Sequence, residues 1–236
     1  MLKWCKIIHR CYASGDNLST SFVVALFSMV VCCSFVNSTE IKEAINNRNI
    51  ITEINIGNKD AQNEIEIYIS PSCLHCGQFI ADDLEKFMRD CGDKAKIVLK
   101  FLPTSAKDIF IMKLLQNETK DERAYFSIFK NYIKRAIATI NFVKPTKKQL
   151  ILYRGSNQDP EMIKFQVVAS EFGFSDQKIV NAYPDHKMTQ PFERTIMQTY
   201  EKSINEITKL VKTKQLDLPL IVRNQKIYTS LHKILE

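Results

Sequence analysis

The chain has 236 residues, 45% of them apolar and 25% charged, enough for one elaborated domain with a sizeable core and too few for two large ones. Its net charge of +7 comes from scattered lysines and arginines. The densest basic run, 144–148, holds a proline and has no aromatic side chain within it for stacking, which argues against a nucleic-acid partner. The basic balance then serves solubility, with a preference for acidic partners or membrane surfaces.

Residues 22–36 (FVVALFSMVVCCSFV) carry no charge, follow Lys3, Lys6 and Arg10, and precede a small-residue site at Val36-Asn37-Ser38. The stretch is short of the roughly twenty residues of a membrane span and matches the core of an export signal. Segment 1–38 is therefore expected to be a signal peptide cleaved before Thr39, or an uncleaved N-terminal anchor. Either outcome places the body of the protein outside the cytoplasm. Cys32 and Cys33 follow Val31 and Cys32 rather than a small residue, which argues against a lipid attachment signal. Of seven cysteines, Cys5, Cys11, Cys32 and Cys33 lie in this segment, leaving Cys73, Cys76 and Cys91. That is too few for a disulfide-stapled scaffold and suits one working pair with a bystander.

Beyond a polar lead-in, 50–56 reads as an edge strand and Gly57-Asn58-Lys59-Asp60 as a turn. Segment 64–70 alternates Ile65, Ile67 and Ile69 with Glu64, Glu66 and Tyr68, the period of a strand with one well-buried face. Pro71-Ser72 ends it, and a helical pattern opens at Cys73, with Phe79, Ile80, Leu84, Phe87 and Met88 on one side and Gly92 as its cap. Segment 96–102 is the next strand, closing a βαβ unit. From 105 to about 184 the pattern is helical almost throughout. Residues 108–115 are apolar at helical spacing, and Thr119-Lys120-Asp121-Glu122 resembles a capping box ahead of a helix through Ile140. Further helices start at Thr146, ending at Gly155, and at Asp159-Pro160, ending at Gly173; a short one covers 176–183. A long amphipathic helix from Pro191 turns Phe192, Ile196, Tyr200, Ile204, Ile207, Leu210 and Val211 inward. Two short strands, 220–223 and 226–229, flank Asn224-Gln225. The order ββαβ, helical insert, αββ gives an α/β class: one sheet interrupted by a helical subdomain. The expected parts are 39–104 with the dithiol, 105–189 as the insert and 190–236 as the closing part.

Cys73-Leu74-His75-Cys76 carries the chemistry. Two cysteines three apart at a helix start close a disulfide across the first turn, and the first thiol faces free helix N–H groups that favour its thiolate. The thiolate attacks in disulfide exchange, and a stabilised one also leaves well. Position assigns Cys73 as the attacking, substrate-linked sulfur and Cys76 as the resolving one, with His75 adding positive charge or a hydrogen bond. Half a zinc site is the competing reading of a lone CxxC. His75 does not easily face the same metal inside one tight turn, and Cys91 lies roughly 27 Å away at 1.5 Å per helical residue. An inert structural disulfide is disfavoured because so small a loop stabilises little. Cys91 reads as a small buried hydrophobe, His186 as an exposed loop residue, and the Tyr125, Phe126, Phe129, Tyr132 stripe as packing.

Gly57-Asn58-Lys59-Asp60-Ala61, Ile65-Glu66-Ile67-Tyr68-Ile69-Ser70 and Cys73-Leu74-His75-Cys76-Gly77-Gln78-Phe79 together resemble the opening of the DsbA-like thiol:disulfide oxidoreductases of the thioredoxin superfamily. Leu218-Pro219-Leu220-Ile221-Val222-Arg223-Asn224-Gln225-Lys226 resembles that family's proline, strand and hairpin landmark. The resemblance runs from about residue 50 to 231. It implies a thioredoxin fold with an inserted helical subdomain, a cis Leu218–Pro219 bond beside the dithiol, and substrate binding along the Leu218 and Pro219 backbone. It also implies a monomeric periplasmic enzyme without metal or cofactor. Its partners would be unfolded or folding exported proteins and a membrane redox partner, with no nucleic acid. The histidine of CLHC favours a dithiol oxidase over an isomerase or reductase; a thioredoxin-fold envelope binding protein without turnover is the reading from another class. The sequence departs from the family at three places. Leu218 precedes the proline where valine or threonine is usual, and Asn224-Gln225 lacks the usual glycine. Ile67 stands six positions before Cys73, where many relatives carry an acid that assists proton transfer, and the neighbouring Glu66 is expected to face the other side of the sheet.

Overall fold

The computed structural model describes residues 50–153, 159–184, 187, 190–211 and 217–228. Segment 1–38, Gly155 and His186 lie outside them. All the described residues belong to one unit, Asn49–Glu236. Its strands are β1 (Glu53–Asn55), β2 (Asn63–Ile69), β3 (Ala95–Phe101), β4 (Leu220–Arg223) and β5 (Lys226–Tyr228). They form one sheet in the order β1-β3-β2-β4-β5. Only β2 and β3 run parallel, and the segment between them carries the dithiol. The edge strand at 50–56 is shorter than its sequence pattern, three residues paired with β3 from Glu53↔Lys100 to Asn55↔Val98.

The alternation in β2 sorts the two faces. Ile65, Ile67 and Ile69 are at most 2% exposed and join the large core beneath the helices. Each such side chain contributes about 1.5–3 kcal/mol of gross burial. Tyr68 turns the other way, into a smaller cluster with Leu102, Ile207, Leu220 and Val222.

The dithiol helix is not one regular helix. It runs as α1 (Leu74–Gln78), a wide π turn (Phe79–Asp83) and α2 (Leu84–Cys91), followed by a 3₁₀ turn (Gly92–Lys94). The π turn is closed by the Leu84 amide donating to the Phe79 carbonyl, and its added residue leaves Phe79, Ile80, Leu84 and Phe87 all buried. The insert supplies α3 (Ala106–Gln116), α4 (Glu122–Thr139), α5 (Lys147–Tyr153), α6 (Pro160–Phe172) and α7 (Asp176–Ala182). The long helix α8 (Pro191–Leu210) then returns the chain to the sheet. Asp159 caps α6, and Gly173 ends it at φ 109°, a left-handed conformation that glycine adopts without steric cost.

Two local expectations need correction. The cap of α4 is Asp121, whose carboxylate accepts the Ala124 amide at 2.8 Å, while Thr119 accepts only the Asp121 amide. A short acidic side chain directly before the first helical residue outcompetes a threonine two places earlier. On α8 the inward stripe includes Ile196 and Ile207, but Phe192 is only half-buried and the fully buried first-turn residue is Glu193. Glu193 accepts from Lys113 Nζ at 3.0 Å, and Gln190 accepts from the same ammonium at 2.8 Å, so a buried ion pair joins α8 to α3. At Asn224-Gln225 the hairpin turns with φ 50° and 61°. Both positions of this tight turn are left-handed without a glycine, and asparagine is the residue type that best tolerates the first of them.

Candidate active site

Cys73 is the N-cap of α1, extended at φ −76° and ψ 117°, and its sulfur accepts the Cys76 amide at 3.4 Å. Two backbone bonds fix it there: its own amide donates to the Ser70 carbonyl at 3.1 Å, and its carbonyl accepts from the Gly77 amide at 2.9 Å. Cys73 and Cys76 are free thiols; Cys73 is half-buried and Cys76 is 1% exposed. The two sulfurs are therefore chemically distinct. A hydrogen bond from the Cys76 thiol, the backbone amides of Cys76 and His75, and the nearby His75 charge together bring Cys73 down to about 6, against the opposing effect of its partial burial. The same shared hydrogen bond, together with burial, pushes Cys76 far up. One thiol is set to ionise and the other to hold its proton. His75 and Leu74 are exposed at the rim.

Gly77 follows the dithiol for a packing reason. A Cβ there would lie 2.6 Å from Cγ2 of Ile133 and 2.9 Å from Cδ1 of Ile137. Only hydrogen at this position lets α4 lie against the turn that holds the thiols.

The Leu218–Pro219 bond is cis. Leu220 pairs with Tyr68 in the antiparallel β2–β4 ladder, so Pro219 and Leu218 come just beyond its end, at the side where β2 leads on to residues 70–73. Leu218 packs half-buried against the core cluster that contains Cys76, on which Cys73 also packs. The register thus brings the two landmarks, 145 residues apart in the chain, to one end of the sheet.

Glu66 is not in this site. Its carboxylate accepts from Tyr68 Oη at 2.9 Å and pairs with Lys100, whose ammonium also lies over the Tyr68 ring, 5.4 Å from its centroid. All three occupy the face opposite the isoleucines. Cys91 sits at the far end of α2, 3% exposed, beside a cavity of about 200 Å³ lined by Asn63, Asp90 and Arg223 among others. Among the described residues, no group of three or more His, Cys, Asp and Glu gathers as a metal site.

One charged residue escaped the sequence reading. Asp108, in the first turn of α3, is fully buried. Its Oδ1 accepts from Ser70 Oγ at 2.8 Å and the Ser72 amide at 2.6 Å. Its Oδ2 accepts from the Thr104 amide and hydroxyl at 2.8 and 3.1 Å and from the Ser105 amide and hydroxyl at 2.9 and 3.0 Å. The spacing Ser105-Ala106-Lys107-Asp108 is a capping box, a signal overlooked because the apolar run behind it reads as core.

Residues 49–144 match the thioredoxin family model. No curated protein matches the chain. Among solved structures, the protein-disulfide isomerase of Novosphingobium aromaticivorans is similar at a TM-score of 0.51 and 13% identity, over 75% of this chain and 89% of that one. Alpha-DsbA1 of Wolbachia pipientis is similar at a TM-score of 0.48 and 17% identity, over 80% and 85%. DsbA of Chlamydia trachomatis is similar at 0.47 and 16%, over 78% and 89%. The match over residues 49–144 and the likeness to the Novosphingobium structure agree with the sheet described above: the chain has a thioredoxin fold with an inserted set of helices.

Proposed function

We propose that this chain is an exported thiol–disulfide oxidoreductase working as a dithiol oxidase, passing the Cys73–Cys76 disulfide to folding proteins outside the cytoplasm. The observation that carries this reading is the unlike placement of the two sulfurs: Cys73 is half-buried at the N-cap of α1 and accepts the Cys76 amide, while Cys76 is buried, an arrangement that lowers Cys73 and raises Cys76. A stabilised Cys73 thiolate stabilises the reduced protein, which makes its disulfide the stronger oxidant.

The exchange runs in two displacements. A substrate thiolate attacks Cys73 Sγ of the oxidised protein, the Cys73–Cys76 bond breaks, and the Cys76 thiolate leaves and takes up a proton. A second substrate thiolate then attacks the substrate sulfur of the mixed disulfide and expels the Cys73 thiolate. The substrate has lost two electrons and the dithiol has gained them. A membrane redox partner must then accept those electrons. The backbone at Leu218, one residue before the proline and outside the β4 ladder, suits an extended substrate segment laid alongside Cys73. The 22–36 apolar stretch supports export to the periplasm, by cleavage or as an anchor.

The test is oxidation of a reduced, denatured model protein, together with the equilibrium of the dithiol with glutathione. The oxidase reading expects fast stoichiometric oxidation and a reduction potential well above the roughly −270 mV of a reductase, towards the about −120 mV of a strong oxidant. A potential at or below that reductase value, or absence of oxidation, rejects it.

A further inference from the structure

We propose that Asp108 is a positioning residue of the dithiol site, fastening residues 70–72 behind Cys73 and setting a negative charge behind the dithiol turn. The inference rests on the exchange function proposed above and adds a residue to it. Three observations carry it. Asp108 is fully buried, yet no cation is among its hydrogen-bonding partners: it is held by the six hydrogen bonds described, two at Oδ1 and four at Oδ2. A carboxylate offers about four lone-pair sites, so these bonds leave none open. Second, its bonds span 36 and 38 residues to the segment that delivers Cys73. Ser70 bridges the two systems: its hydroxyl donates to Asp108, its carbonyl accepts the Cys73 amide, and its backbone lies against the Cys76 sulfur. Third, the Asp108 charge adds to the effects that keep Cys76 protonated.

On its own turn Cys76 faces Cys73 and, at the rim, His75. From the end of β2 comes the backbone of Ser70 and from α3 comes Asp108, while Ile133 and Ile137 of α4 lie against the neighbouring Gly77. Lys107, next to Asp108 in sequence, lies 3.8 Å from Asp159. This chain, with Ile67 on the core side of β2, thus brings a buried acid to the dithiol end of the sheet from another element.

Two variants separate charge from scaffolding. Asp108→Asn keeps the shape and removes the charge, so the reduced, anionic dithiol gains relative to the disulfide. The glutathione equilibrium of the purified protein is expected to move towards the reduced form by about threefold. Ser70→Ala keeps the carboxylate but removes a hydroxyl dipole that partly neutralises it, so the same equilibrium moves the opposite way. Opposite shifts of the two variants support the proposal. Unchanged equilibria in both, with only the urea midpoint lowered, overturn it and leave Asp108 a staple of the fold. If Asp108→Asn does not fold, Ser70→Ala decides alone, and an unshifted equilibrium there overturns the proposal. A wild-type protein that fails to exchange with glutathione at all defeats the proposed function instead, a result distinct from either variant's.

Discussion

The two faces of the central sheet are built from the same alternating residues and do opposite things with charge. On one face Glu64 pairs with Lys96 at 2.6 Å, and Glu66 with Lys100, a ladder of partly exposed ion pairs across neighbouring parallel strands. On the other, Ile65, Ile67 and Ile69 make a dry wall under the dithiol, and Asp108 is a carboxylate held there by hydroxyls and amides. An ion pair neutralises itself, whereas a carboxylate held by neutral donors keeps its field. Asp108, whose hydrogen-bonding partners are all neutral, is therefore the charge on this face that is placed to act upon a sulfur.

This contrast can be broken at graded cost. Cys73→Ser removes the attacking sulfur, and oxidation of a reduced model protein is expected to fall to the uncatalysed rate while the fold, read by circular dichroism, persists. Gly77→Ala puts a methyl group 2.6 Å from Ile133 Cγ2. Overpacking of this kind costs about 1–3 kcal/mol by urea denaturation, and because it displaces the dithiol turn it is expected to slow exchange as well. Glu66→Gln, on the opposite face, removes one half of an ion pair whose side chains are 19% and 24% exposed. It is expected to cost at most about 1 kcal/mol and to leave the rate of substrate oxidation unchanged. A Glu66→Gln variant with slowed oxidation would erase the distinction between the faces.

The sequence made the strand–dithiol–helix unit legible because each piece rests on local chemistry: a period of two in β2, Pro71-Ser72 to end it, and CxxC at a helix start. The placement of Glu66 away from the thiols also followed from that period. Lys113 and Glu193 were not legible, and for Asp108 only the capping-box spacing to Ser105 was. The long-range partners of these charged residues lie 36 to 80 residues away. Polar satisfaction at that range is a property of tertiary packing, with no trace in periodicity. The π turn in the dithiol helix was equally silent, since its residues fit a regular helical stripe.

The pH dependence follows from the asymmetry of the sulfurs. A thiol lowered from 9.0 to about 6 on folding contributes stability that is fully present above about 9 and is lost as pH falls through about 6. The reduced protein should therefore lose urea resistance between those values as the solution is acidified, and the Cys73→Ser variant should not show that component.

The most direct measurement is a titration of the reduced protein by thiolate absorbance at about 240 nm, with Cys73→Ser as reference. An absorbance step centred near pH 6, absent from Cys73→Ser, is the result expected from the geometry at the N-terminus of α1. A single step near pH 9 that survives the substitution would contradict it, because the first helical turn would then be doing nothing to Cys73.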